Sequence, residues 1–138
     1  MPREEELQQK FLNFIEQDML TVVQLLSMHS LNVTAVYIGG GTPTSLSETA
    51  FARLIALTAR HLLLPGVHEF TVEAGRPDCF SDEKLKVMEA CGVNRISVNP
   101  QTLHDKTLKA IGRSHTVQDF YRSYDMVRHS GIKLSIPI

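Results

Sequence analysis

Hydrophobic and polar positions follow two periods along this chain. Over residues 5–30, Leu7, Phe11, Phe14, Ile15, Val22, Leu25 and Leu26 recur at helical spacing with Glu and Gln between them. That pattern predicts an amphipathic helix whose apolar stripe must pack on a partner. Residues 34–38 (TAVYI) then gather β-branched and aromatic side chains and predict a buried strand. Residues 69–74 (EFTVEA) alternate with period two, and residues 95–98 (RISV) and 133–136 (KLSI) give a third and a fourth strand.

Helical segments fill the gaps between these strands. Ser45-Leu-Ser-Glu48 has the form of a capping box, and Phe51, Leu54, Ile55 and Leu57 continue a helical face until Pro65-Gly66 stops it. Ser81 caps a helix over residues 82–90, with Gly92 where a left-handed residue ends it. Thr102-Leu-His-Asp105 opens a short helix closed by Gly112, and Thr116-Val-Gln-Asp119 opens a longer one ending at Gly131. The order is one helix, three strand–helix units and a last strand, which predicts an α/β fold with a parallel sheet and crossover helices. A doubly wound open sheet and a barrel both fit, and both put ligands at the carboxyl ends of the strands. Those ends read GGGTPT, EAGRPD, NPQT and PI. No linker or low-complexity stretch interrupts the chain, so its 138 residues form a single domain.

Composition narrows the function classes. With 43% hydrophobic and 21% charged residues and a formal net charge of −1, the chain has average globular usage and no general electrostatic case for binding nucleic acid or an anionic membrane. The longest apolar run, residues 62–65, is far too short to span a bilayer. Cys79 and Cys91 lie twelve positions apart, match no short metal motif and follow no secretory signal. They read as reduced thiols of a cytoplasmic protein.

Four constellations carry candidate chemistry. The turn Gly39-Gly40-Gly41-Thr42-Pro43-Thr44 lets backbone groups approach a ligand, although glycines alone fit a plain turn equally well; it has neither P-loop nor dinucleotide spacing. Glu73 is a carboxylate in an otherwise apolar strand end, open to two readings of equal weight, a ligand contact or a structural ion pair with Arg76 or Arg95. Gln101 carries an amide that both donates and accepts, where a turn residue is the plainer reading. Arg113 is placed to clamp a carboxylate bidentately, or to neutralise carbonyls at a helix end. His29, His61, His68, His104 and His129 are scattered without ligand spacing or an obvious partner, and the helix dipole alone accounts for Asp78, Asp82 and Glu83. No Ser-His-Asp order or paired-acid motif is evident.

Together, IGGGTPT, TVEAGRPD, GVNRISVNPQT and LKAIGRSHT, at these intervals, resemble the oxygen-independent coproporphyrinogen III oxidase family of radical S-adenosylmethionine enzymes, over roughly residues 33–133. The wording NPQT looks most like its coproporphyrinogen dehydrogenase branch. The resemblance implies a partial (β/α) barrel in which S-adenosylmethionine sits beside a [4Fe-4S] cluster at the strand ends. It also implies cosubstrate contacts from Gly40, Gly41, Thr42, Glu73, Gln101 and Arg113. Its substrate is a porphyrinogen: a 5′-deoxyadenosyl radical removes hydrogen from a propionate side chain, and loss of carbon dioxide leaves the vinyl group of protoporphyrinogen IX. A relative of the same family that carries haem is the alternative.

The chain departs from the family pattern in one respect that bears on chemistry. The cluster-binding CxxxCxxC motif precedes the GGG turn in the family, whereas residues 1–38 hold no cysteine. Without those thiolates the chain is expected to bind no cluster and to be inactive by itself. A tyrosine or other aromatic residue expected near that motif is also missing, and the ending Ser135-Ile136-Pro137-Ile138 matches the family poorly. The expectation is an internal fragment, with an N-terminal helix over residues 1–30 and barrel strands two to five over residues 33–138. Its cut edges are expected to promote dimerisation.

Overall fold

A computed structural model describes residues 3–136. The chain forms α1 (Arg3–Met28), β1 (Ala35–Ile38), α2 (Glu48–Leu62), β2 (Glu69–Ala74), α3 (Asp82–Ala90), β3 (Arg95–Val98), α4 (Asp105–Ala110), α5 (Val117–Arg128) and β4 (Lys133–Ser135). All four strands are parallel and lie in chain order. Val72 stands opposite Ile38 and Ile96, and Ser97 opposite Glu73 and Ser135.

One face of the sheet is apolar. Val36, Phe70, Val72, Ala74, Ile96 and Val98 share a buried cluster with Phe51 and Ile55 of α2, Leu85 and Met88 of α3, and Phe120 and Val127 of α5. The three long crossover helices therefore back the same side, and burying each large side chain contributes roughly 1.5–3 kcal/mol. A sheet wound one way with no reversal of strand order has no switch point, so the doubly wound alternative falls and the arc of a barrel remains. The opposite face carries Tyr37, Glu69, Thr71, Glu73, Arg95, Ser97, Lys133 and Ser135 by strand alternation. Parallel strands are ordinarily apolar on both faces; this polar inner face is the exception that points to ligand chemistry.

Local signals explain most boundaries. Ser81 accepts from the Lys84 amide and caps α3, and Thr116 and Asp119 complete a reciprocal capping box at α5. Gly66, Gly92 and Gly112 all have positive φ, the conformation that ends a helix or turn without a Cβ penalty.

Four local expectations are corrected. The cap of α2 is Ser47, which accepts from the Ala50 amide, because Pro43 starts a 3₁₀ turn that absorbs Ser45. The short helix α4 begins after His104 with no side-chain cap; Asp105 instead accepts from the Val117 amide and ties α4 to α5. At its far end α5 stops at Arg128, and Gly131 has no left-handed φ. The fourth strand ends at Ser135, one residue early, and Pro137 and Ile138 of the strand end PI lie outside the described residues.

The stripe expected to pack α1 is a fifth correction. Leu7, Phe11, Phe14, Val22 and Leu25 are exposed, Ile15 and Leu26 are half-buried, and Leu12, outside the stripe, is the residue fully buried. Polar groups contribute to this orientation. The Arg53 guanidinium of α2 donates to the Gln9 carbonyl (3.2 Å), Gln9 Oε1 (2.8 Å) and Asn13 Oδ1 (2.6 Å), while Glu16 meets Arg53 and His61. His61 therefore has a partner that the sequence did not suggest.

Candidate functional site

The site is built on the turn after β1. Gly39 follows the strand directly, and a Cβ there would collide with the Tyr37 ring and lie 3.0 Å from Glu73 Oε2. Gly40 has φ +103°, a region L-residues rarely occupy, whereas Gly41 has open space around its Cα. The first two glycines thus answer separate demands, close approach and backbone reversal, and the third leaves the peptide uncovered. Thr42 precedes the 3₁₀ turn Pro43–Ser45, and its carbonyl accepts from the Ser45 amide at 2.9 Å and the Ser45 hydroxyl at 2.7 Å.

Glu73 lies on the polar face beside this turn. Of the two readings open in the sequence, the ion pair is not formed. Arg76 donates to Asp78 Oδ2 (3.2 Å) and Ser114 Oγ (2.8 Å), and Arg95 to Glu69 Oε1 (3.0 Å) and Ser135 Oγ (3.0 Å). Glu73 instead accepts one hydrogen bond, from the Tyr37 hydroxyl at 3.3 Å. A Cβ at Gly75 would come within 3.2 Å of Glu73 Oε1, so glycines flank the carboxylate on both sides. Burial, the Glu73 charge and the bond to Glu73 raise the Tyr37 pKa and keep the phenol a donor. Among the described residues Glu73 has no cationic partner. A carboxylate in this state between two glycines keeps acceptor capacity that no cation among the described residues uses.

Gln101 and Arg113 stand elsewhere on the same rim. Gln101 follows β3 with φ +60°, held by its amide donating to Asn99 Oδ1 at 3.1 Å. A non-glycine residue in the left-handed region costs on the order of 1–2 kcal/mol; strain of this kind concentrates at functional positions. Arg113 follows α4, its amide donating to the Leu108 carbonyl at 2.9 Å, and its guanidinium enters no ion pair among the described residues. Its neighbour Ser114 donates to Asp78 at 2.8 Å while accepting from Arg76, which fastens the loop before α5 to the loop after β2. No hydrogen bond or ion pair among the described residues joins Gly40, Gly41, Thr42, Glu73, Gln101 and Arg113 to one another; the fold brings them to one rim, not into one network.

Three contributors were missed from the sequence. Asp78, assigned to the helix dipole, belongs to the Arg76–Ser114 network. Burial works to raise its carboxyl, and the bonds from Ser114 and Arg76 outweigh that and hold it below the ordinary value. Tyr37 was read only as a strand residue, although its place two residues before the glycines on the inward face is a usable signal. Lys84, in the first turn of α3, is buried and reaches both strand-end turns, with Nζ 2.6 Å from the Thr44 carbonyl and 3.1 Å from that of Cys79.

With this geometry in place, comparison with known proteins gives the class. Residues 8–138 match the Radical SAM superfamily, and the chain belongs to it. Among curated relatives it is 40% identical over 123 residues to the oxygen-independent coproporphyrinogen-III oxidase-like protein HemZ of Bacillus subtilis, covering 88% of this chain and 25% of that one. It is equally 40% identical over 126 residues to the heme chaperone HemW of Bacillus subtilis, covering 90% of this chain and 32% of that one. The solved coproporphyrinogen III oxidase HemN of Escherichia coli, described as a radical SAM enzyme, superposes with TM-score 0.79 at 22% identity, over 97% of this chain and 30% of that one. The chain therefore spans between a quarter and a third of the length of these proteins. The expected partial barrel agrees with this likeness in fold.

The residues fit one of the two groups the superfamily implies. S-adenosylmethionine carries an ammonium, a sulfonium and a carboxylate; an unpaired Glu73 between two glycines, and the exposed backbone of Gly40 and Gly41, suit such a ligand. The [4Fe-4S] cluster does not fit, because the chain holds two cysteines and no group of three potential metal ligands occurs among the described residues. No helix among the described residues is long and apolar enough to cross a membrane.

Proposed function

We propose that this chain forms the cosubstrate-facing strand ends, barrel strands two to five, of a longer radical S-adenosylmethionine oxidase that converts coproporphyrinogen III propionates to vinyl groups in anaerobic haem biosynthesis. The observation that carries the binding site is the Glu73 carboxylate, free of any cation among the described residues and flanked by Gly39 and Gly75. Glu73 holds the ammonium of the methionine moiety, and the peptides of Gly40, Gly41 and Thr42 lie along its backbone. Gln101 donates to and accepts from the cosubstrate at the next strand end, and Arg113 supplies a guanidinium for a carboxylate. Once bound and reductively cleaved, S-adenosylmethionine supplies the radical that abstracts hydrogen from substrate. The cluster belongs to residues outside this chain, so the chain alone is inactive. Its unpaired β1 and β4 edges and the exposed α1 stripe favour dimerisation of the isolated chain, which is placed in the cytoplasm.

A second reading has a specific observation behind it: identity to the heme chaperone HemW equals that to HemZ. In that reading the same strand ends serve a protein that binds haem. The deciding experiment is anaerobic reconstitution of the longer protein with S-adenosylmethionine and coproporphyrinogen III. Vinyl-group formation supports the oxidase; stoichiometric haem binding without decarboxylation supports the carrier, and absence of both removes both.

A further inference from the structure

Lys84 breaks three local rules at once. It is a cation in the first turn of α3, where the helix dipole disfavours positive charge. It is 8% exposed, although lysine is among the residues least often buried. It also forms no ion pair among the described residues. Burial lowers its pKa, and the nearby Cys79 thiol and Glu48 carboxyl offset only part of that shift. Glu48 itself accepts from the Ser81 hydroxyl at 3.3 Å instead of meeting the lysine.

What holds the ammonium is backbone. Nζ donates to the Thr44 carbonyl, inside the turn that follows β1, and to the Cys79 carbonyl, inside the 3₁₀ turn Pro77–Cys79 that follows β2. The Phe51 ring of α2 lies 5.8 Å from it, on the core side. These two turns carry Gly40, Gly41 and Thr42 on one side and follow Glu73 on the other. β1 and β2 are paired only as far as Ile38 and Val72, so strand hydrogen bonding stops short of both turns.

We propose that Lys84 is a positioning residue for cosubstrate binding, whose ammonium fixes the separation between the glycine turn and the loop following Glu73. The proposal rests on the reading of these turns as the S-adenosylmethionine site. A buried local-rule violation compensated entirely by two strand-end loops is the form that positional constraint takes when a site needs it. The ammonium satisfies two carbonyls that turn geometry leaves without backbone partners, and it does so without projecting into the site.

The test uses the longer protein that carries this chain, purified anaerobically, with calorimetric binding of S-adenosylmethionine and amide exchange as readouts. Lys84→Met keeps the apolar stem beside Phe51 and removes the donors. It is expected to stay folded, to bind S-adenosylmethionine about tenfold more weakly, and to speed exchange at the Ser45, Leu46, Cys79 and Phe80 amides, which the two turns protect. If Lys84→Met does not fold, Lys84→Leu, which also lacks a donor, carries the same test with the same expected losses. Affinity and exchange unchanged in the folded variant overturn the proposal, as does loss in Lys84→Ala alone, which would assign the effect to the stem. Glu73→Gln is the control for the site: unchanged affinity there refutes the cosubstrate reading, while the amide exchange still reports on the Lys84 tie.

Discussion

The α2–α3–α5 layer and the α1 helix treat their apolar residues in opposite ways. Phe51, Ile55, Met88 and Val127 of the first are fully buried against the sheet. In α1, Phe14 is 66% exposed and Met28 76% exposed, and beside the buried Leu12 the helix is tied to α2 by Arg53 bonding Gln9, Asn13 and Glu16. An apolar stripe therefore reports that a helix has something to cover, not that this chain covers it. Where the sheet face is available, area burial dominates; where α1 packs on α2, directional hydrogen bonds contribute to its orientation.

Substitutions separate the two regions, and Phe51→Ala should have the largest effect. It empties a fully buried aromatic site and is expected to cost about 3–5 kcal/mol in denaturant unfolding. Arg53→Ala removes the bonds that orient α1 and should cost about 1–2 kcal/mol; faster amide exchange confined to α1 would identify it as a local loss, whereas loss spread through β1–β3 would mean that α1 belongs to the core. Gln101→Gly relieves a positive φ and should stabilise the protein by up to about 1 kcal/mol while weakening S-adenosylmethionine binding, a trade that ordinary turn residues do not show. Phe14→Ala should change stability by less than about 0.5 kcal/mol, since the ring is already in solvent.

Lys84 adds a pH test within the buried region. Because its folded pKa lies below the ordinary lysine value, the folded chain releases this proton first. Between the two values the unfolded chain binds more protons, so this group's contribution to stability rises with pH. Lys84→Met should flatten that alkaline rise in urea midpoints; a rise unchanged by the substitution would refute the assignment. Asp78 has the same sign, at the acid end of the range. Its depressed pKa adds stability above the ordinary aspartate range that is lost on acidification, and Asp78→Asn should remove that acid-side loss.

Much of the fold was legible because its signals are local. Strand residues 69–74 and 95–98 match β2 and β3 to the residue, since β-branched runs bounded by glycine and proline leave little choice of register. The Thr116–Asp119 box and the left-handed Gly92 and Gly112 follow from backbone groups that must be satisfied within one turn. Ser45 misled because Pro43, two residues before it, starts a 3₁₀ turn, and Thr102 because Asp105 found a partner twelve residues away. At the rim, the sequence singled out Glu73 but left its partner open; Arg76 and Arg95 were both engaged by groups remote in sequence.

The sequence by itself determined the strand–helix alternation, the glycine turn and the superfamily, because periodicity, caps and four ordered motifs are properties of neighbours along the chain. Only the tertiary structure decided which stripe of α1 turns inward, that the Glu73 carboxylate stands without a cation among the described residues, and that Lys84 joins two turns. Each of those outcomes depends on which donor reaches which acceptor across some forty residues of sequence, and distance along the chain carries no record of that competition.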